Sequence, residues 1–194
     1  MLQTCLKQQK QQEERHESGR TVAILFDKCP EAFFAMLGTL KAGCAFVALD
    51  PGAPPSRKRF ILHDSRAAAV LTSQAFRDEA GSFSDVPVLA VDEATLLGWP
   101  PEPVDLGRQL SPSSVCYCLY TSGTTGTPKG CEITHDNAVQ AVLAFQRLFA
   151  GRWDASSSRW LQFASFHFDV AVLEQYWTWC PASAAASSSR AASR

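Results

Sequence analysis

Tyr120-Thr121-Ser122-Gly123-Thr124-Thr125-Gly126-Thr127-Pro128-Lys129-Gly130 directly continues the apolar, β-prone run Val115-Cys116-Tyr117-Cys118-Leu119-Tyr120. Together they read as a strand that breaks into a hydroxyl- and glycine-rich loop carrying a single lysine. Such a loop can cradle phosphate. Gly123 and Gly126 allow positive φ and bring backbone N–H groups close to an anion. Thr121, Ser122, Thr124, Thr125 and Thr127 offer hydroxyl donors, and Lys129 adds a mobile point charge. Pro128 restricts Thr127 to extended geometry and so stiffens the loop. Composition alone would suit a plain solvated loop. Here five hydroxyl residues and three glycines converge on one lysine directly after a buried strand, which favours phosphate. The pattern is not that of the nucleotide-kinase loop, in which Gly-Lys is followed by Ser or Thr. In this chain Lys129 precedes Gly130 and Cys131.

Upstream of the loop the chain alternates between two hydrophobic periods. Thr21 to Phe26 is β-prone and reads as a buried strand. Glu31 to Ala42 reads as a helix with Phe34, Leu37 and Leu40 at helical spacing, and Gly43 is the candidate C-cap. Ala45 to Leu49 is the next strand, and Asp50-Pro51-Gly52-Ala53-Pro54-Pro55 a rigid turn. Ser56 is expected to cap a second helix running to Asp64. Further strands are expected at 67–71 and 86–91, around a short helix near 74–79. Strand, helix, strand at this spacing implies crossover connections and a parallel sheet.

Residues 96–112 hold four prolines and little periodicity, and read as a linker between a first lobe (about 21–95) and the start of a second (about 113–179). Beyond the loop, 130–134 reads as a return strand, 135–149 as an amphipathic helix and 160–163 as another strand. His135 fits a capping or packing role at the strand-to-helix junction. The run Phe163-Ala164-Ser165-Phe166-His167-Phe168-Asp169-Val170-Ala171-Val172-Leu173-Glu174 follows, and Trp177 and Trp179 are expected in the core. His167 fits a pocket wall or a core position equally well. Asp169 could simply cap the helix that starts near Val170. An Asp among aromatic residues is also costly to bury unless paired. Leaving such a charge unpaired costs roughly 3–5 kcal/mol, so a site built this way selects for a cation.

The chain has 194 residues, 46% of them hydrophobic, and a net charge of -1, enough to bury a core. Near-neutral charge without a Lys/Arg stripe argues against a nucleic-acid partner. No apolar run approaches the roughly 18 residues of a membrane span. Residues 1–20 are Gln- and charge-rich, lack a signal-peptide core and read as disordered. Seven cysteines at irregular spacing give no disulfide or zinc framework and are expected as buried thiols in a reducing cytoplasm. Residues 180–194 are low-complexity Ala/Ser/Arg sequence.

The loop resembles the signature loop of the adenylate-forming (AMP-binding) superfamily, which includes acyl-CoA synthetases, luciferases and the adenylation domains of nonribosomal peptide synthetases. Leu40-Lys41-Ala42-Gly43-Cys44-Ala45-Phe46-Val47-Ala48-Leu49-Asp50-Pro51 resembles a structural motif of the peptide-synthetase branch, with Ala48 where proline is usual. The run 163–174 resembles a third motif, at the substrate pocket. The resemblance covers about Thr21 to Trp179. It implies an α/β fold: the incomplete N-terminal core of an adenylate-forming enzyme, a parallel-sheet lobe with flanking helices plus the start of a second lobe. It implies that Thr121, Ser122, Gly123, Thr124, Thr125, Gly126 and Lys129 hold the phosphates of ATP. It further implies that Asp169 meets the α-ammonium of an amino-acid substrate beside His167 and Phe168.

The implied chemistry joins a carboxylate to AMP with loss of pyrophosphate, the charge being stabilised by loop donors, lysine and Mg2+. A carrier-protein domain is the implied partner. The family's magnesium-binding acid, ribose aspartate and lid lysine have no counterpart here, so weak or absent adenylation is expected of the chain alone. The tail suggests a gene fragment or a mis-spliced or frame-shifted product. Two other readings are carried: an acyl- or aryl-acid-activating ligase, and a non-catalytic nucleotide-binding fragment.

Overall fold

A computed structural model describes residues 21–97, 110–122, 127–149, 152 and 159–176. Six strands form one sheet: β1 (Thr21–Leu25), β2 (Ala45–Ala48), β3 (Ala67–Thr72), β4 (Val88–Ala90), β5 (Val115–Thr121) and β6 (Lys129–Thr134). The helices among the described residues include α1 (Pro30–Lys41), α2 (Pro55–Asp64), α3 (Arg77–Phe83), α4 (Glu93–Leu97) and α5 (His135–Leu148). The strand order is β4-β3-β1-β2-β5-β6. Strands β1 to β5 run parallel and β6 antiparallel to β5, which makes the expected α/β fold with its parallel sheet.

The sheet is covered on both faces, as parallel sheets require. On one face Ala23, Leu25, Val47, Val70 and Cys118 meet Ile61 and Leu62 of α2 and Ala80 and Phe83 of α3. The alternate residues point the other way, where Phe46 stacks on Tyr117 with ring centroids 5.7 Å apart. There α1 packs on β1 and β2. Lys58 of α2 is 1% exposed. Its ammonium donates to the carbonyl of Pro51 at 2.7 Å and pairs with Glu79 of α3, so the charge is compensated.

Several expectations need correction. Helix α1 buries Ala32, Ala35, Met36 and Thr39, whereas Phe34 and Leu37 are 55% and 41% exposed. Both stripes have helical period, and the small-residue stripe lets the helix lie close to the sheet. Helix α2 starts at Pro55 with Pro54 as N-cap and no side-chain cap. Proline at the first helical position supplies the helical φ, so the serine is not needed as a cap. Residues 160–163 form no strand. The backbone N–H groups of Phe163 and Ala164 are taken by the carboxylate of Glu174 instead of a neighbouring strand. Cys131 is exposed, so not every thiol is buried.

Strand β5 pairs with β2, with Phe46 opposite Tyr117 and Val47 opposite Cys118, so residues 115–134 extend the first sheet. The chain divides into two compact units after His135. Helix α4 takes the first residues of the expected linker, and 98–109 lie outside the described residues. So do the N-terminal 1–20, Trp177, Trp179 and the tail.

Candidate functional site

Because β5 is parallel to β2, its C-terminal end lies at the carboxyl edge of the sheet, where open α/β sheets bind ligands. The chain leaves β5 there and returns along β6. Tyr120 pairs with Gly130 and Thr121 with Lys129. Thr121 and Lys129 thus face each other at the mouth of the hairpin, both solvent-exposed. Among the described residues Lys129 makes no salt bridge. Ser122 and Thr127 are exposed beside them. Gly123, Thr124, Thr125 and Gly126 lie outside the described residues.

Behind the mouth the phenol of Tyr120 donates to Asp64 Oδ2, the last residue of α2, at 2.6 Å. Burial and this bond to a carboxylate hold the Tyr120 hydroxyl well above its usual ionisation range. Cys118, two residues earlier on the same face, has its thiol pushed up to about 12, first by burial and then by nearby Glu132. A Cβ on Gly130 would lie 3.0 Å from Tyr120 Cζ and 3.3 Å from Cys118 Sγ. Glycine is therefore what admits the ring. Sequence reasoning missed Asp64. Its only signal was a carboxylate at the C-terminal end of a helix, the electrostatically wrong end. His135 starts α5 half-buried, and burial lowers the pKa of its imidazole.

In the second unit, helical residues 169–176 begin at Asp169. The Asp169 carboxylate is exposed and accepts from the backbone N–H of Val170 at 2.8 Å. The carboxylate is thus not buried among its aromatic neighbours. Phe168 is exposed and packs against the half-buried His167 ring at 5.1 Å, while Phe166 points into the core. The buried carboxylate of this segment is Glu174, 7% exposed. It accepts from the backbone N–H groups of Phe163 and Ala164, both at 3.1 Å, and from Gln162 Nε2 at 3.2 Å. Glu174 ties the extended strip to the helix. Among the described residues no three His, Cys, Asp or Glu side chains converge to hold a metal ion.

Residues 12–189 match the family model of AMP-binding enzymes, and the chain belongs to that family. It is 60% identical over 166 residues, 85% of its length, to the nonribosomal peptide synthetase SIDC of Beauveria bassiana. It is 48% identical over 163 residues, 83% of its length, to the hydroxamate-type ferrichrome siderophore peptide synthetase of Schizosaccharomyces pombe. The chain spans 3% of the length of each of these relatives. The AMPPNP-bound structure of the nonribosomal peptide synthetase FmoA3 superposes with a TM-score of 0.70 at 28% identity, over 87% of this chain and 17% of that one.

Proposed function

We propose that this chain is part of an adenylation domain that activates an amino acid as its aminoacyl-adenylate for nonribosomal peptide synthesis. Residues Thr121, Ser122, Gly123, Thr124, Thr125, Gly126 and Lys129 hold the phosphates of ATP in this reading. Asp169 meets the substrate ammonium beside His167 and Phe168. The observation that carries the reading is the mouth of the β5–β6 hairpin, with an exposed, unbridged Lys129 opposite Thr121 at the carboxyl edge of the sheet. The 60% identity to a peptide synthetase favours an amino acid over an acyl- or aryl-acid substrate. The siderophore synthetase relative supports a parent enzyme that builds siderophores. A carrier-protein domain is the partner, Mg2+ the accompanying ion and the cytoplasm the setting, consistent with free thiols among the described residues. No helix of the described residues is long and apolar enough to cross a membrane.

The test is titration of the chain with ATP, monitored by calorimetry. Losing the lysine contact in Lys129→Ala should weaken binding about tenfold, the equivalent of roughly 1.4 kcal/mol. Equal affinity in the two proteins would overturn the phosphate reading. If a fatty acid stabilises the ATP-bound chain against heat better than α-amino acids do, the ligase alternative replaces the amino-acid reading.

A further inference from the structure

We propose that Tyr120, Asp64 and Gly130 form a latch that fixes the register of the β5–β6 hairpin and so positions Thr121 and Lys129 for phosphate. The proposal rests on the phosphate reading of that hairpin. Its starting point is a broken local rule. Asp64 ends α2, where a carboxylate meets the unpaired carbonyls and the negative end of the helix dipole. Such violations concentrate where another demand outweighs local preference. The compensating partner is the Tyr120 hydroxyl at 2.6 Å, the length of a charge-assisted O–H···O⁻ bond. Fifty-six residues separate the two in sequence, so the bond joins the end of a helix to the end of a strand.

Gly130 is the third part. It stands opposite Tyr120 in the ladder. A Cβ there would come within 3.0 Å of Tyr120 Cζ, 3.1 Å of Oη and 3.3 Å of Cys118 Sγ. The phenol therefore lies across the strand at Gly130 and reaches Asp64 only because no side chain intervenes. The next rung outward is Thr121 with Lys129. Side chains alternate between faces, so a slip of one residue would turn Lys129 to the α2 side of the sheet. With Tyr120 seated over glycine and bonded to Asp64, that slip loses the bond and drives a side chain into the ring. The latch thereby decides which face carries the lysine.

The test uses the full chain with Tyr120→Phe, Asp64→Ala, Asp64→Asn and Gly130→Ala, read by amide hydrogen exchange and by ATP titration. Losing one hydrogen bond should speed exchange of the amides at 119–121 and 129–131 about fivefold and weaken ATP binding by a similar factor. Exchange in β1 and β2 should stay as in the unsubstituted chain. Tyr120→Phe combined with Asp64→Ala should cost no more than either alone, because both remove the same bond. Asp64→Asn keeps an acceptor and should fall closer to the unsubstituted chain than Asp64→Ala does. Gly130→Ala should match Tyr120→Phe. Unchanged exchange at the hairpin mouth in Tyr120→Phe overturns the latch, whatever ATP does. Faster exchange with undiminished ATP affinity, while Lys129→Ala binds poorly, overturns its positioning role and leaves the phosphate reading standing. If Lys129→Ala binds ATP as the unsubstituted chain does, the phosphate reading falls and the positioning role with it.

Discussion

Cys118 and Cys131 sit on neighbouring strands and differ in access. Cys131 is exposed on the edge strand β6, whereas Cys118 packs in the core between sheet and helices. The thiolate is the reactive form, and burial holds the Cys118 thiol protonated up to about 12. Iodoacetamide at pH 8 should therefore label Cys131 in the folded chain, and Cys118 only after denaturant, read by peptide mass mapping. Labelling of Cys118 without denaturant would contradict its burial. The same shift has a stability consequence. The unfolded thiol ionises near its ordinary value of 9.0, while the folded one keeps its proton to about 12. Its contribution is complete below pH 9 and is lost as the pH climbs from 9 to 12. The melting temperature should fall across that window, and less steeply in Cys118→Ala.

At the scale of the element, two helix ends solve one problem differently. Helix α1 closes with Cys44 N–H on the carbonyl of Thr39 at 3.1 Å and Gly43 N–H on that of Leu40 at 2.9 Å. That is a Schellman motif, with Gly43 at φ 68° as the left-handed residue. Helix α2 also ends in a left-handed residue, Arg66 at φ 50°, whose N–H donates to the carbonyl of His63 at 3.1 Å, with no glycine to relieve the strain. Opposite effects follow. Gly43→Ala should destabilise by about 1 kcal/mol, and Arg66→Gly should be neutral or stabilise by up to about 1 kcal/mol, in denaturant titrations. Equal signs for the two would mean that Arg66 has a compensating contact.

At the scale of the molecule the two compact units differ in what they bury. The first holds most of the buried apolar side chains, including Ile24, Leu25, Phe46, Val47 and Val70. The second buries Val142, Phe166, Ala171 and Val172, and exposes Leu148, Leu161, Phe163 and Phe168. Stability follows buried apolar area, so opening should be uneven along the chain. Amides of β1 and β2 should exchange only through global unfolding, and those of 139–148 and 169–176 at lower free energy. Glu174→Ala leaves the N–H groups of Phe163 and Ala164 without their carboxylate, a cost of about 1–3 kcal/mol. It should speed exchange in the second unit and leave β1 and β2 unchanged. Uniform acceleration across both units would show that they open together.

The alternation of β-prone runs with helical stretches was enough to place β1, α1, β2, α2 and β3 and to name a parallel sheet, because both periods are local properties of the chain. The loop from Thr121 to Lys129 was legible for the same reason: hydroxyls, glycines and a lysine within a few residues of one another. Local pattern could not choose between the two apolar stripes of α1, since Phe34 and Leu37 repeat as regularly as Ala32, Ala35 and Met36 do. Only packing against the sheet decides that. Nor could it show that 160–163 bond to Glu174 instead of joining a sheet, because the partner lies eleven residues on. The sequence by itself determined the succession of elements from β1 to β3 and the residue types that stand at the hairpin. The tertiary structure alone decided that β5 joins the first sheet beside β2, and that Asp64 reaches Tyr120. Both depend on contacts between residues far apart in the chain, which no local periodicity encodes.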